Sequence, residues 1–313
     1  MNRRRFIALS ASALMAIRTG NALARKALVP GAIAAEKTSA GHRADIALWQ
    51  GVPPGGGGPA GSELLSATGG VSNVISPSLR VFRPKNSSGR AVLIAAGGGY
   101  KRIEMGKEAW PAARWLTRLG YTAYVLTYRL PAEGWNDGSL VALQDAQRAL
   151  RIVRSREKYV SVLGFSAGGH LMGMAVTRAD FRSYPEQDSL DRIQAYADRA
   201  ALIYPVITLE RPYTHTSTHK VLVGPHAGEK ENAEWSVQNF VTSQTPPMFL
   251  VQAEDDPISD PRNTLIMAAA CKHKHVPMEM YRYSSGGHGF GMGRAGTPTL
   301  NWPAHYRTWL SEV

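Results

Sequence analysis

The sequence feature that most constrains the fold is a Gly-x-Ser-x-Gly motif between a predicted strand and a predicted helix. An apolar run at 160–163 leads into Gly-Phe-Ser-Ala-Gly at 164–168, and residues 169–176 suit a helix. Such a turn closes only where the neighbours of the serine lack bulk, and it strains the serine backbone. The motif therefore predicts a sharp strand-to-helix turn with the Ser166 hydroxyl exposed at a helix N-terminus, where negative charge is favoured. A glycine-rich turn with an incidental serine is the structural alternative.

Strand-like and helix-like segments alternate on both sides of this motif. The predicted strands of the main sheet are 91–96, 122–128, 160–165, 200–205, 248–253 and 278–283. The other predicted helices are 110–119, 139–156, 261–273 and 303–311. Two short strands, 73–77 and 78–84, come first, and the second is expected at an antiparallel edge because Pro84 ends it. The alternation predicts an α/β fold with a mostly parallel central sheet flanked by helices, and the polar segment 208–244 predicts a small cap insertion.

The N-terminus has the features of a twin-arginine export signal. Arg3, Arg4 and Arg5 precede an apolar run at 6–17, and Ala-Leu-Ala at 22–24 offers a cleavage site. The run is too short to span a bilayer as a mature helix, although an uncleaved anchor stays an alternative. The chain is therefore expected to be periplasmic or secreted. Its predicted parts are an export signal at 1–24, a Gly- and Pro-rich linker and N-terminal loop at 25–70, and one domain at 71–313.

The charge distribution argues against nucleic-acid binding. The formal net charge of +12 falls to +8 once the predicted signal, with four arginines and no acid, is removed. The remaining Lys and Arg residues are scattered rather than clustered with aromatic residues. No stable membrane insertion is expected after removal of the signal, and the sequence leaves the oligomeric state open. The single cysteine, Cys271, excludes an intrachain disulfide and is expected to serve packing.

Three residues fit a nucleophile, a base and an orienting acid. A serine hydroxyl is a weak nucleophile at neutral pH and needs a base that is itself held by a carboxylate. The chain order Ser, Asp, His is typical of α/β enzymes with a Gly-x-Ser-x-Gly turn. His288 lies between glycines after the last predicted strand, and Asp256 follows the strand that ends at 253. Ser166, Asp256 and His288 are therefore the predicted catalytic residues, with Asp255 as the adjacent alternative acid.

The remaining histidines fit the role of base less well. His170 lies within the predicted helix after Ser166, where packing or a local hydrogen bond is expected. His215 and His219 have the spacing of two metal ligands, but the segment lacks the glutamate of His-Glu-x-x-His and its Ser and Thr residues favour a loop. No metal site is predicted, and contact of the cap histidines with a substrate stays open. The other histidines are His226 in the cap, His42 in the linker, His273 and His275 among lysines, and His305 on the last helix.

Backbone amides are expected to stabilise the negative charge that develops on an attacked carbonyl. Ala167, directly after the serine, supplies one predicted donor. Gly98 and Gly99, in a Gly-Gly-Gly-Tyr segment at 97–100, supply the others. Ala96 stands where esterases with a His-Gly-Gly-Gly loop have histidine, so another group must hold this loop. A phosphate-binding loop would need a following Lys-Ser/Thr or dinucleotide spacing, which is missing, and no cofactor is predicted.

With these features the sequence resembles the α/β-hydrolase superfamily over nearly all of residues 70–313. More narrowly, it is similar to exported bacterial hydrolases of the acetylxylan-esterase-like or xylanase-associated type. The segments that carry the resemblance are 49–55, 97–100, 127–130, 164–170, 204–207, 253–256 and 286–290. The resemblance implies a serine nucleophile at 166, a base at 288 and an orienting acid at 256. The link at 154–160 is shorter than in such enzymes, which affects the sheet edge far from the site.

The function implied is that of a serine carboxylesterase working through an acyl-enzyme. Its implied substrates are short-chain acyl esters, acetyl foremost, on plant-polysaccharide or other carbohydrate molecules. A peptidase or lipase-like hydrolase of the same fold is one alternative. A non-catalytic carbohydrate-binding protein of this fold is another, although such proteins usually lose a member of the triad.

Overall fold

The computed structural model describes residues 45–312, so the predicted export signal and the first part of the predicted linker lie outside it. The strands are β1 (Ile46–Ala47), β2 (Leu64–Leu65), β3 (Gly70–Ser72), β4 (Ser78–Phe82), β5 (Arg90–Ala95), β6 (Ile103–Glu104), β7 (Thr122–Thr127), β8 (Tyr159–Phe165), β9 (Arg199–Ile203), β10 (Met248–Ala253) and β11 (Met278–Tyr283). The helices are α1 (Trp110–Arg118), α2 (Leu140–Arg154), α3 (Ala167–Thr177), α4 (Ser217–Leu222), α5 (Glu229–Glu234), α6 (Arg262–His273) and α7 (Trp302–Ser311). A π-helical turn, Met105–Ala109, leads directly into α1.

Eight strands form one sheet in the order β1-β4-β7-β5-β8-β9-β10-β11. The six strands from β7 to β11 along this order pair in parallel. β4 is antiparallel to β7, as predicted, but β1 pairs with its other side and forms the sheet edge. β2, β3 and β6 form a separate small antiparallel sheet. The predicted α/β fold with a mostly parallel sheet is confirmed.

The central strands are buried because helices cover both faces of the sheet. β10 is buried along its whole length, and β5, β8 and β9 are buried except at their first residue. Their sequences are accordingly apolar on both alternating faces, as expected for covered parallel strands. α3 packs on β8 and β9, and α2, itself almost completely buried, packs on α3.

The register of the parallel strands brings the candidate site residues to one edge of the sheet. Ala95 at the end of β5 pairs with Gly164 in β8, and Phe165 pairs with Ile203 at the end of β9. Ala253 at the end of β10 pairs with Tyr283 at the end of β11. The segments that follow these strands therefore start from the same edge.

The structure differs from the sequence-based prediction near the N-terminus. Residues 45–70, predicted as linker and surface loop, contain β1 of the main sheet and the buried Trp49. The Trp49 indole donates a 2.8 Å hydrogen bond to Asp145 on α2, which also pairs with the buried Arg129. The predicted strand at 73–77 is wrong: Asn73 has a φ of 56°, which ends β3.

The predicted cap region, 208–244, contains α4, α5 and a short 3-10 turn at Val237–Phe240. Thr216 caps the N-terminus of α4 by accepting a hydrogen bond from the His219 amide. Between residues 45 and 312, every helix is too short or too polar to span a membrane.

Candidate active site

Ser166 lies at the turn between β8 and α3 in a strained backbone conformation. Its φ is 51° and its ψ is −119°, values that a non-glycine residue rarely adopts. The turn is crowded: a Cβ on Gly168 would lie 2.2 Å from the Ala95 carbonyl oxygen, and one on Gly97 would lie 2.7 Å from the serine Cβ. Glycine is therefore required at both positions, and the strand-to-helix turn has the form that the motif predicts.

Two consecutive hydrogen bonds connect Ser166 to His288 and His288 to Asp256. The serine Oγ lies 2.8 Å from His288 Nε2, and His288 Nδ1 lies 2.7 Å from Asp256 Oδ2. Because a carboxylate only accepts, Nδ1 carries the proton and Nε2 is left to accept from the serine hydroxyl. The Asp256 side chain is fully buried, whereas His288 is 17% exposed. The three residues predicted as a triad thus lie in the order and at the distances that general-base activation of a serine requires.

The two candidate carboxylates have different partners. Asp256 Oδ1 accepts from the amides of Ile258 and Ser259 at 2.8 and 2.9 Å, and Oδ2 accepts from the Gln252 amide group at 3.0 Å. These donors match a carboxylate and fix its orientation toward the imidazole. Asp255 is exposed and instead accepts a 2.7 Å hydrogen bond from Gly287, the residue before His288. That backbone donor is the main cause that lowers the pKa of Asp255.

The glycine loop, residues 97–100, lies beside Ser166. Gly98 and Gly99 have φ values of 118° and 64°, and both line the cavity that also contains Ser166 and His288. Among residues 45–312, neither glycine amide has a hydrogen-bond acceptor. Ala167 is the first residue of α3, so its amide has no acceptor within the helix. These are the three predicted donors to a developing oxyanion.

Two side chains hold the glycine loop where the esterase pattern has a histidine. The Tyr128 hydroxyl donates a 2.8 Å hydrogen bond to the Ala96 carbonyl. The Glu108 Oε2 atom accepts a 2.6 Å hydrogen bond from the Gly97 amide. The rigidity that a histidine would give this loop therefore comes from Tyr128, directly after β7, and from Glu108 in the π-helical turn.

Glu108 also connects the glycine loop to the loop that carries His288. Its Oε1 accepts a 2.9 Å hydrogen bond from the Tyr204 hydroxyl, which in turn accepts one from the Gly291 amide. The Tyr204 ring packs edge-on against His288 with centroids 5.0 Å apart. Burial raises the pKa of Glu108 to about 7, against the lowering effect of its donors Gly97 and Tyr204. Sequence reasoning missed Glu108 because nothing in the pattern of the π-helical turn marks it, although Tyr204 lies in a segment of the resemblance.

The cavity at this edge has a volume of about 470 Å³. Ser166 and His288 lie in its wall together with the glycine loop. Thr216, Ser217 and Thr218, from the predicted cap, add hydroxyl groups, and Val206 and Ile258 add apolar surface. The predicted cap thus forms part of the cavity wall.

His170, His215 and His219 each have hydrogen-bond partners other than Ser166. His170 is buried, with Nδ1 2.9 Å from the Tyr100 hydroxyl and Nε2 2.8 Å from the Trp235 carbonyl. Burial lowers the pKa of His170 to about 4, which keeps the ring neutral. His215 lies before α4 begins, so it does not share a helix face with His219. His215 lies 3.1 Å from the Ile258 carbonyl, and His219 lies 2.9 Å from Asn232 Oδ1.

Comparison with known proteins agrees with this architecture. A family model described as the prolyl oligopeptidase family matches residues 141–312. An acetylxylan esterase of Xylanibacter ruminicola is 30% identical over 223 residues, which cover 68% of this chain and 43% of that protein. An endo-1,4-beta-xylanase B of Butyrivibrio fibrisolvens is 30% identical over 205 residues, which cover 63% of this chain and 32% of that protein. The chain spans less than half the length of these curated relatives.

A solved structure covers more of the chain. It is the acetyl ester-xyloside bifunctional hydrolase from Caldicellulosiruptor lactoaceticus, which is 30% identical, with a TM-score of 0.71 over 86% of this chain and 95% of that one. The family match runs from α2 to α7 over more than half of the chain and includes the positions of Ser166, Asp256 and His288. The chain therefore belongs to the prolyl oligopeptidase family of the α/β-hydrolase superfamily and is similar to acetylxylan-esterase-like hydrolases.

Proposed function

We propose that the protein is a serine carboxylesterase that hydrolyses short-chain esters, acetyl foremost, on carbohydrate substrates. The main support for the proposal is the hydrogen-bonded chain from Ser166 through His288 to Asp256. It lies beside a cavity whose wall includes the glycine loop. The names of the relatives, an acetylxylan esterase and an acetyl ester-xyloside hydrolase, support the ester and sugar parts of the proposal.

In acylation, the hydrogen-bonded chain from Ser166 through His288 to Asp256 accepts the serine proton. Ser166 Oγ attacks the ester carbonyl while His288 Nε2 takes its proton, and Asp256 stabilises the imidazolium through Nδ1–H. The carbonyl oxygen becomes an oxyanion and is stabilised by the amides of Ala167 and of Gly98 or Gly99. The tetrahedral intermediate collapses when His288 returns the proton to the leaving alcohol, which leaves an acyl group on the serine.

Deacylation repeats these steps with water in place of the alcohol. His288 Nε2 removes a proton from the water, whose oxygen attacks the acyl carbonyl, and the same amides stabilise the second oxyanion. Breakdown expels Ser166 Oγ, which regains its proton from His288 and releases the carboxylic acid. The hydroxyl-bearing wall of the cavity, from Thr216 to Thr218, suits a sugar alcohol more than a long acyl chain.

Two experiments test this function. The first is mass spectrometry of the protein after reaction with a serine-directed phosphonate, and the second is hydrolysis of acetyl and octanoyl nitrophenyl esters. We expect one adduct on Ser166 that is absent from Ser166→Ala, and a preference for the acetyl ester. Turnover should be lost in both Ser166→Ala and His288→Ala. Absence of both adduct and turnover would overturn the catalytic proposal, and an octanoyl preference would overturn the short acyl group.

The family match supports one competing function, that of a peptidase. The same serine, histidine and oxyanion donors would serve an amide, which needs stronger protonation of its leaving group. Peptidyl nitroanilides with proline before the cleaved bond discriminate between the two functions. We expect acetyl esters to be cleaved with the larger kcat/KM, and a reversal of this order would make the peptidase the better assignment.

We also propose that residues 1–24 direct export by the twin-arginine route, with the mature protein periplasmic or secreted. The support is the arginine cluster at residues 3–5, the short apolar run and the following Ala-Leu-Ala. N-terminal sequencing of the protein from the periplasm and the medium tests this. Cleavage after residue 24 that is lost in Arg4→Lys/Arg5→Lys is the expected result, and an intact N-terminus in the cytoplasm would contradict it.

A further inference from the structure

The cavity beside Ser166 carries an excess of positive charge. Among its lining residues, two are acidic, Glu104 and Glu108. Four are cationic: Lys101, Arg102, Lys107 and Arg294. Glu104 is paired with Arg102 at 2.5 Å, and Glu108 is buried and takes its hydrogen bonds from Gly97 and Tyr204. Neither acid therefore neutralises the other three cations.

Lys101, Lys107 and Arg294, here called the cationic rim, form no ion pair within residues 45–312. All three are exposed. Arg294 donates a 3.1 Å hydrogen bond to the His288 carbonyl, which is not an acid. The pKa of Asp255 is lowered mainly by the Gly287 amide and only slightly by the charge of Arg294, and the two side chains are not in ion-pair contact. The charges of the cationic rim are thus free to meet an anion from solution.

Backbone contacts place the cationic rim beside both halves of the reacting centre. The Lys101 amide donates a 3.1 Å hydrogen bond to the Gly98 carbonyl, so this lysine follows directly on the glycine loop. The Lys107 carbonyl packs against Gly291 in the loop that carries His288, where an added Cβ would lie 2.6 Å away. An ester bound at Ser166 therefore has cations on the side of the glycine loop and on the side of the histidine loop.

Apart from these charged residues, the cavity wall consists mainly of hydroxyl-bearing, apolar and glycine residues. Its hydroxyl groups can bind sugar hydroxyls by hydrogen bonds, and its two apolar side chains can cover a small acyl group. A neutral sugar ester would leave the cationic rim without a function. A carboxylate on the sugar is an anion that fits beside such hydroxyl contacts.

Resting on the proposed function, we propose that the cationic rim selects acetyl esters of carboxylate-bearing sugars, that is, of uronate-containing glycans. The rim attracts the carboxylate before the ester reaches Ser166, and it holds the sugar while the acetyl group is transferred. Since the three cations are exposed, each contributes about two- to fivefold to kcat/KM, and salt screens the effect.

Two pairs of esters test the proposal and distinguish where the anion lies. An acetylated methyl glucuronoside is compared with the acetylated methyl glucoside, which differs in having no sugar carboxylate. Monomethyl succinate is compared with methyl butyrate. Monomethyl succinate carries its carboxylate on the acyl side of the ester, and methyl butyrate has none. We expect a kcat/KM ratio of about tenfold for the glucuronoside over the glucoside at low ionic strength, falling to less than about threefold near 0.5 M salt. A preference only for the succinate ester would overturn the assignment to the sugar.

Matched variants test whether the rim is the cause. Lys101→Gln/Lys107→Gln should lower the glucuronoside-to-glucoside ratio at least about fourfold. Lys272→Gln/Lys274→Gln removes the same charge from exposed positions outside the cavity, and its ratio should equal that of the wild type. Equal ratios in the two double variants would overturn the inference. If both glycosides are hydrolysed equally well and hydrolysis depends on Ser166, this inference fails but the proposed esterase function stands. If neither glycoside is hydrolysed, the proposed function itself fails.

Discussion

The Glu108 carboxylate accepts a 2.6 Å hydrogen bond from the Gly97 amide, so a buried acid holds the first residue of the glycine loop. Tyr204 donates to the other carboxylate oxygen and is itself bonded to the amide of Gly291. One ionisable group therefore connects the two loops that would stabilise the oxyanion and carry the base. Its protonation state bears on the stability of both loops.

The first prediction concerns the pH dependence of stability at Glu108. Burial raises its pKa in the folded protein from 4.5 to about 7, so the folded state binds this proton more tightly than the unfolded chain. The resulting contribution to stability is complete below about pH 4.5 and is lost as the pH rises through about 7. The loss amounts to roughly 3 kcal/mol, because one pKa unit corresponds to about 1.4 kcal/mol.

Urea unfolding between pH 4.5 and 8 measures this effect. The free energy of unfolding of the wild type, minus that of Glu108→Gln, should fall as the pH rises, since glutamine resembles the protonated acid. Glu229→Gln makes the same substitution at an exposed position and controls for the lost charge. A difference that stays level or rises with pH would contradict the prediction.

The second prediction separates the two adjacent aspartates. Asp256→Asn removes the acceptor that holds His288 Nδ1–H and favours the wrong tautomer, so kcat on an acetyl ester should fall about 10³- to 10⁴-fold. Asp255→Asn keeps an oxygen that can accept from Gly287 and should change kcat less than about tenfold. Steady-state kinetics of the two variants under the same conditions decide the matter, and similar losses in both would remove the distinction.

The third prediction concerns the buried ion pair of Asp145 with Arg129. Asp145 also accepts from the Trp49 indole, and both charged side chains are fully buried. Asp145→Asn leaves the buried guanidinium without its counter-charge and should lower the free energy of unfolding by roughly 3–5 kcal/mol. Asp45→Asn breaks the exposed pair with Arg80 and should cost less than about 1 kcal/mol. Denaturant unfolding checks both, and equal costs would show that burial of the pair does not matter.

The fourth prediction tests the crowding at the serine turn. The Cβ of Gly168→Ala would lie 2.2 Å from the Ala95 carbonyl oxygen of β5, so α3 and β5 must move apart. We expect a loss of at least about 3 kcal/mol in stability and of most of the activity. At Gly228→Ala the added Cβ meets the end of the flexible Glu231 side chain, and the cost should stay near 1 kcal/mol or below. Thermal unfolding compares the two, and an active, stable Gly168→Ala would contradict the prediction.

Much of the fold and of the site could be predicted because local sequence determines it. The short, mostly apolar run at 248–253 has the length and composition of a strand covered on both faces, and the structure has β10 there. The relation of Ser166 to His288 follows from chain order, since parallel strands end at one edge of the sheet. The sequence favoured Asp256 over Asp255, but it does not contain the contacts that distinguish the two carboxylates, namely the amides of Ile258 and Ser259 on Asp256 and that of Gly287 on Asp255.

The differences arise where distant contacts decide the local structure. The Gly- and Pro-rich segment near residue 50 has the pattern of a loop, but the Trp49 indole is held by Asp145 of α2 and the Pro54 carbonyl by Arg129, which follows β7. Both partners lie far along the chain. Asn73 and Val74 donate to the Glu133 carboxylate rather than to a neighbouring strand, which is why the predicted strand at 73–77 does not form. Glu108 acts through Gly97 and Tyr204, a relationship that no periodicity contains.

The crowding around Ser166 also determines where this chain can diversify. A turn that rejects a single methyl group at Gly168 or Gly97 leaves selection almost no freedom at the reacting atoms. The exposed residues of the cavity wall, such as Lys101 and Lys107, have no such constraint. New ester preferences should therefore arise by substitutions in that wall, and a mutant library restricted to it would explore alternative substrates while the folding of the sheet edge is preserved.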